Sequence, residues 1–200
     1  MEYNKKPNKK PDHLREQPMT YGEYADLPDD GNRYELVEGF LEMMSPSATT
    51  KHQMISFQIQ KKLAQSCEHE YFILNAPLDV ILSPKEVRQP DLVMIHRGRI
   101  HIMKKYGIEG APDLVVEILS LSSIKRDKVN KLKSYAYYAI PEYWIVDPGN
   151  GTLEQYVLQD KSYELVEVYT EDEIIKSNHI PCVSFSMKEI MNQIPDLYDH

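Results

Sequence analysis

Asp91 and Glu117 stand in two short segments of similar shape, QPDLVMI (89–95) and PDLVVEI (112–118). Each segment leads from a Pro-Asp step into an apolar run, the pattern of a buried strand. A carboxylate is rarely buried without a partner, so Glu117, set among Val115, Val116, Ile118 and Leu119, needs one. Acids on adjacent strands can converge on a hard divalent cation such as Mg2+ or Mn2+, which takes oxygen ligands and keeps several waters. The cation would offset the desolvation of the carboxylate. Asp127 and Lys131 lie four apart and share a helix face. The long stem of Lys131 can bring its ammonium back over the end of the Glu117 strand, to orient water or neutralise a phosphoryl group. The chemistry these residues would do is metal-assisted phosphodiester hydrolysis. On spacing alone they read equally well as a buried ion pair or as exposed charges.

The elements that must position these groups follow from periodicity and turn chemistry. MTYGEYADL (19–27) predicts a short helix with Thr20 as N-cap and Glu23 three residues on. RYELV and FLEMM predict a hairpin reversing at Glu38-Gly39. Residues 45–50 read as a loop. Residues 51–70 read as an amphipathic helix, with Met54, Ile55, Ile59, Leu63 and Ala64 or Cys67 on its apolar side. Strands are expected over 71–82, 91–96 and 114–119, the last central, and SPKEVRQP (83–90) is expected to be a turn. A helix over 122–139 would bury Ile124, Leu132, Tyr135, Ala136 and Ala139 and turn Lys125, Arg126, Lys128 and Lys133 mostly outward. With the strands at 114–119 and 143–146 it forms a βαβ unit. TLEQYVLQ and SYELVEVYT predict a second hairpin around Asp160-Lys161, and a short strand and helix close the chain over 183–191. The fold class expected is mixed α/β: a central mixed sheet flanked by helices, with an N-terminal helix and hairpin and a C-terminal β-hairpin.

Two hundred residues suit one domain, here 19–200, behind a basic, disordered tail at 1–18 rich in Lys, Pro and Asn. No run is long and apolar enough to span a membrane, and the N-terminus has no hydrophobic signal region. Cys67 and Cys182 form no CxxC pattern, and two reduced thiols in a cytoplasmic protein are expected. The net charge is −8, yet from Lys85 to Lys133 eleven Lys and Arg face six Asp and Glu. Such a basic stretch suits a phosphate polymer, although charge counts alone favour a merely solvated surface.

Six short pieces occur in one order: RYELVEG, Ser45-Pro46-Ser47 with His52, QPDLVMI, PDLVVEILS, the helix bearing Asp127, Lys131 and Tyr135, and PEYWIVDP. Together, over about residues 19 to 170, they resemble the Uma-two-type restriction endonuclease family of bacteria. That family belongs to the PD-(D/E)XK, restriction-endonuclease-like superfamily. The resemblance implies a restriction-endonuclease-like core and metal-dependent cleavage of nucleic acid, DNA being the expected partner. It puts Asp91 in the first acidic place and Glu117 in the second, with Mg2+ or Mn2+ as the cofactor. The lysine expected two residues after the glutamate is Leu119 here, and Lys131 on the next helix takes its place. Glu35 matches the early glutamate and is a further candidate for the metal site. His52 is a supporting candidate, balanced against a purely structural role at a helix start. Asp127 is another, as the residue positioning Lys131. Tyr135, Tyr143 and Trp144 are expected in the core, and Asp147 in a turn.

Two other classes of function use the same residues. One is a catalytically inactive binding module on the nuclease fold. The other is a hydrolase of a smaller phosphate ester. A homodimer would suit cleavage of both strands of a duplex.

Overall fold

Capping and turn signals set the boundaries of the first elements. The computed structural model describes residues 17–44, 48–120 and 123–196. Most of the expected tail, the Ser45-Pro46-Ser47 step and Ser122 therefore lie outside the described residues. Helix α1 (Tyr21–Ala25) starts at Thr20, whose N–H donates to Glu23 Oε2 at 2.8 Å. Strands β1 (Tyr34–Val37) and β2 (Phe40–Met43) reverse through Glu38 and Gly39, both at positive φ (52° and 89°). Glycine is required at 39 for a second reason, since an added Cβ would lie 2.7 Å from Pro18 Cβ. Helix α2 (Thr50–Cys67) is capped by Thr49, whose hydroxyl accepts from the His52 N–H at 3.2 Å. It buries Ile55, Ile59 and Leu63 completely, each worth roughly 1.5–3 kcal/mol.

The remaining elements are β3 (Tyr71–Asn75), β4 (Val80–Ser83), β5 (Glu86–Arg88), β6 (Leu92–His96), β7 (Ile108–Glu109) and β8 (Leu114–Ile118). After a π-helical segment at Arg126–Lys131 come α3 (Leu132–Tyr137), β9 (Glu142–Asp147), β10 (Thr152–Gln159) and β11 (Ser162–Tyr169). Strands β12 (Ile174–Ile175) and β13 (Phe185–Ser186) and helix α4 (Met187–Met191) complete the set.

The main sheet runs β11-β10-β9-β8-β6-β3, with β8 parallel to β9 and its other pairs antiparallel. The expected central strand and βαβ unit are both present. Alternation along β8 splits its side chains between two cores. Val116 and Ile118 pack with Ile55, Ile59 and Trp144, whereas Val115 faces Tyr135 and Tyr143. Glu117 shares the parity of Val115, which answers why it interrupts the run: the strand is buried on both faces, and its acid points to the side of the helix that follows.

A second sheet, β2-β1-β5-β4-β7, was not expected. The stretch 71–82 is two strands in different sheets, with a cis Ala76-Pro77 bond between them. The predicted turn at 83–90 is confined to Pro84-Lys85, and Glu86, Val87 and Arg88 are instead buried in β5. Pro, Lys and Glu made this stretch look like a turn, but Glu86 and Arg88 are paired inside the protein. The second hairpin forms as expected, with Asp160 and Lys161 at positive φ.

Two further expectations are corrected. Ile124 is exposed, as is Ala139, so the helix does not bury an unbroken apolar stripe; Asp127 and Lys131 occupy its inner face beside Tyr135 and Ala136. Cys67 and Cys182 form a disulfide, with Cα atoms 5.3 Å apart, where two free thiols were expected. Their separation of 115 residues gave no sign of contact, but the end of α2 packs against Ile175, Ile180 and Val183. The pairing removes the thiol argument for a cytoplasmic location. Among the described residues no helix is long and apolar enough to cross a membrane.

Candidate active site

Strand register brings the two acids together. Antiparallel pairing of Leu92 with Val116 sets Asp91, one residue before β6, opposite Glu117. The two are cross-strand neighbours on one face. Asp91 Oδ2 accepts from the Ile118 N–H at 2.8 Å and pairs with His52 Nε2 at 3.1 Å. His52 therefore joins α2 to the strand end, which gives it a contact with Asp91 beyond packing. Its burial disfavours the charged ring, but the bond to Asp91 outweighs this and raises its pKa.

Lys131 arrives from the opposite wall. The π-helical turns of 126–131 carry Asp127 and Lys131 into the interior, and such segments are frequent at functional sites. Lys131 Nζ lies 2.7 Å from Glu117 Oε1, 3.3 Å from Glu35 Oε1 and 3.5 Å from Asp127 Oδ1. Its ammonium, 1% exposed, sits among three carboxylates that keep it charged against the penalty of burial. Asp127 is as deeply buried, so its pair with Lys131 is not the weak surface contact its spacing suggested. Tyr135 is core, as expected, but its hydroxyl also donates to Glu117 Oε1 at 2.8 Å. Leu119, where a lysine was expected from the resemblance, is buried in the apolar core and also borders the cleft.

Glu35 is placed by the second sheet. The register pairing Leu36 with Val87 sets Glu35 opposite Arg88. Glu35 Oε1 accepts from the Gln89 N–H at 2.9 Å, and Arg88 Nη1 lies 3.3 Å from its Oε2. Arg88 also binds Glu86 Oε1 at 2.6 Å through Nη2, so it is held by two buried acids. Arg88 and Glu86 were missed because their segment read as a turn. The alternation of charge in KEVR was the one available signal of a strand with a buried polar face. Burial alone would raise the Glu35 carboxyl, but Lys131 and then Arg88 hold it at about 2. A depressed carboxyl stabilises the fold above its unfolded value of about 4.3, and the contribution is lost as pH falls toward about 2. The urea midpoint of the wild type is expected to fall more steeply than that of Glu35→Gln between about pH 5 and pH 2. Parallel acid profiles for the two proteins would contradict this assignment.

The site packs five acids among four basic groups. Glu35, Glu86, Asp91, Glu117 and Asp127 face the fixed cations Arg88 and Lys131, with Arg126 at the margin, 3.8 Å from Asp127, and His52. Burial pushes Glu117 up to about 8 despite Lys131, and Asp127, Asp91 and Glu35 add to the rise. Asp127 Oδ1 and His52 Nδ1 are buried with no hydrogen-bond partner among the described residues. No cluster of three or more His, Cys, Asp or Glu among the described residues forms a ready-made metal cage. Two carboxylates do fit Mg2+ or Mn2+, which bind through one or two carboxylates, waters and substrate phosphates. The pair opens into a cleft of about 560 Å3 whose margin carries Arg33, Lys51 and Arg126. The basic stretch 85–133 is thus not one face: Arg88 and Lys131 are consumed inside, Arg99 pairs with Asp113 and Lys128 with Glu154.

The mixed sheet and its crossover helix thus bring Asp91 and Glu117 to neighbouring strand ends. The chain belongs to the Uma2 family, described as "Putative restriction endonuclease", which matches residues 21–188. It is also similar to a crystal structure of a "putative nuclease belonging to DUF820" from Anabaena variabilis, at 20% identity and a TM-score of 0.71. That similarity covers 88% of this chain and 99% of the other. No curated protein matches the chain.

Proposed function

We propose that this protein is a divalent-metal-dependent endonuclease that hydrolyses phosphodiester bonds of nucleic acid, with DNA as the expected substrate. The observation that carries this reading is the convergence of Asp91 and Glu117 across β6 and β8, with Lys131 Nζ 2.7 Å from Glu117. Asp91 and Glu117 would hold the ion, Mg2+ or Mn2+. When bound, it would supply a water of lowered pKa and stabilise charge on the phosphoryl oxygens.

The protein's own groups prepare that site. His52 and the Ile118 N–H orient Asp91 through one oxygen, Oδ2. Lys131 and Tyr135 hold Glu117 through Oε1. Lys131 stays charged and orients the attacking water or neutralises the transition state. Glu35 and Asp127 are positioning residues that fix the ammonium. Arg33, Lys51 and Arg126 meet the phosphates at the mouth of the cleft.

Calorimetric titration with Mn2+ tests the ligand pair, alongside an assay for nicking of DNA and RNA with Mg2+ or Mn2+. Wild type should give heat of binding that Asp91→Ala removes, together with metal-dependent cleavage. Absent heat and intact substrates would reject the endonuclease in favour of a nucleic-acid-binding module on this fold.

A further inference from the structure

A second cavity, of about 610 Å3, lies behind the wall of the cleft, and Arg33 and Gln89 line both. Its rings are Tyr21, Tyr24, Tyr34 and Tyr106, with Leu27 and Leu41 between them. We propose that this cavity receives an unstacked nucleobase of the same nucleic acid whose phosphate enters the cleft. The proposal rests on the endonuclease reading and adds to it a subsite that engages a base.

The partition between the cavities is built from fixed groups. Gln89 Oε1 accepts from Arg33 Nη2 at 2.7 Å and Nε at 3.1 Å, and its Nε2 donates to Asp79 Oδ1 at 2.8 Å. Its backbone N–H binds Glu35, the acid that touches Lys131. Gln89 is two residues from Asp91, roughly 7 Å of extended chain, and it lines both cavities. A strand with one phosphate at Asp91 and Glu117 therefore has a base within reach of the second cavity.

The lining selects what enters. Asp79 is half-buried in the wall, and Asp26, Asp29 and Asp30 also line the cavity. Four acids repel a phosphate but not a neutral ring, and aromatic faces stack any base. A carboxylate in the wall accepts from an amino group such as cytosine N4. Tyr106 is 74% exposed, and its loop is held close to the wall because Gly107 approaches Asp79: an added Cβ would lie 2.7 Å from Asp79 O. Lys105 Nζ sits 4.9 Å from the centre of the Tyr106 ring, where it can meet the backbone phosphate of a base that enters.

Fluorescence anisotropy with a short labelled single strand, intact or abasic, tests this, with Ca2+ replacing Mg2+ to prevent cleavage. Wild type should bind the intact strand roughly fivefold tighter or more, the low end for one base stacked on an aromatic ring. Tyr106→Ala should erase most of that preference, Tyr106→Phe should keep it, and Asp79→Asn should alter the ranking of bases. Equal binding of the two strands by wild type, or a full preference in Tyr106→Ala, would overturn the proposal. A ring-dependent preference in a protein that never cuts with Mg2+ or Mn2+ would uphold the base site and defeat the endonuclease reading. Cleavage with no base preference would do the reverse.

Discussion

Glu117→Gln is expected to lower metal-dependent cleavage by about 10²- to 10³-fold, the usual cost of removing one preorganised electrostatic group from a reacting centre. The protein should still fold. Glutamine is nearly isosteric with the protonated acid that burial already favours, and its carbonyl can keep the bonds from Lys131 and Tyr135. The loss should appear in kcat at saturating substrate, and it should be accompanied by loss of the rise in Tm that Mn2+ gives the wild type. A variant that folds and cleaves within a few-fold of wild type would remove Glu117 from the metal site.

Lys131→Met should act mainly on stability. It leaves Glu35, Glu117 and Asp127 facing one another in the interior without their shared ammonium. Breaking a buried ion pair from one side costs about 3–5 kcal/mol, and part is recovered here because Glu117 can take up a proton. Urea denaturation should therefore show a loss of several kcal/mol, on the order of that range. The double variant Lys131→Met/Glu35→Gln should regain some of it, because Glu35, the acid that Lys131 keeps ionised, then carries no charge. Equal stability of Lys131→Met and wild type would mean that the ammonium is not what holds these acids together. Activity should be lost in both variants, since neither supplies a cation beside the attacking water.

Much of the site was legible because its members sit in strong local patterns. The apolar runs around Asp91 and Glu117 read as strands, and an acid inside one of them demanded a partner. Lys131 followed from the i,i+4 spacing to Asp127 and from the reach of its side chain. Glu38-Gly39 and Asp160-Lys161 placed their hairpins through backbone conformations those residues tolerate. Glu86 and Arg88 were lost to view for the opposite reason. Seven of the eight residues of SPKEVRQP are polar or proline and match a surface turn, and nothing local reveals that Glu35 from a distant strand will face the arginine. Cys67 and Cys182 were misjudged likewise, because chain separation carries no information about contact in space.

Most strands and helices, β5 excepted, were readable from the chain alone, as were the carboxylates at buried strand ends and the order of motifs that the family shares. Those are local properties, written in periodicity and turn chemistry. The pairing of Asp91 with Glu117, the closure of the far side of Lys131 by Glu35 and Arg88, and the charged inner face of the helix came from long-range packing. These depend on strand register and on packing between two sheets. A shift of one residue in either would send the same side chains to the other face.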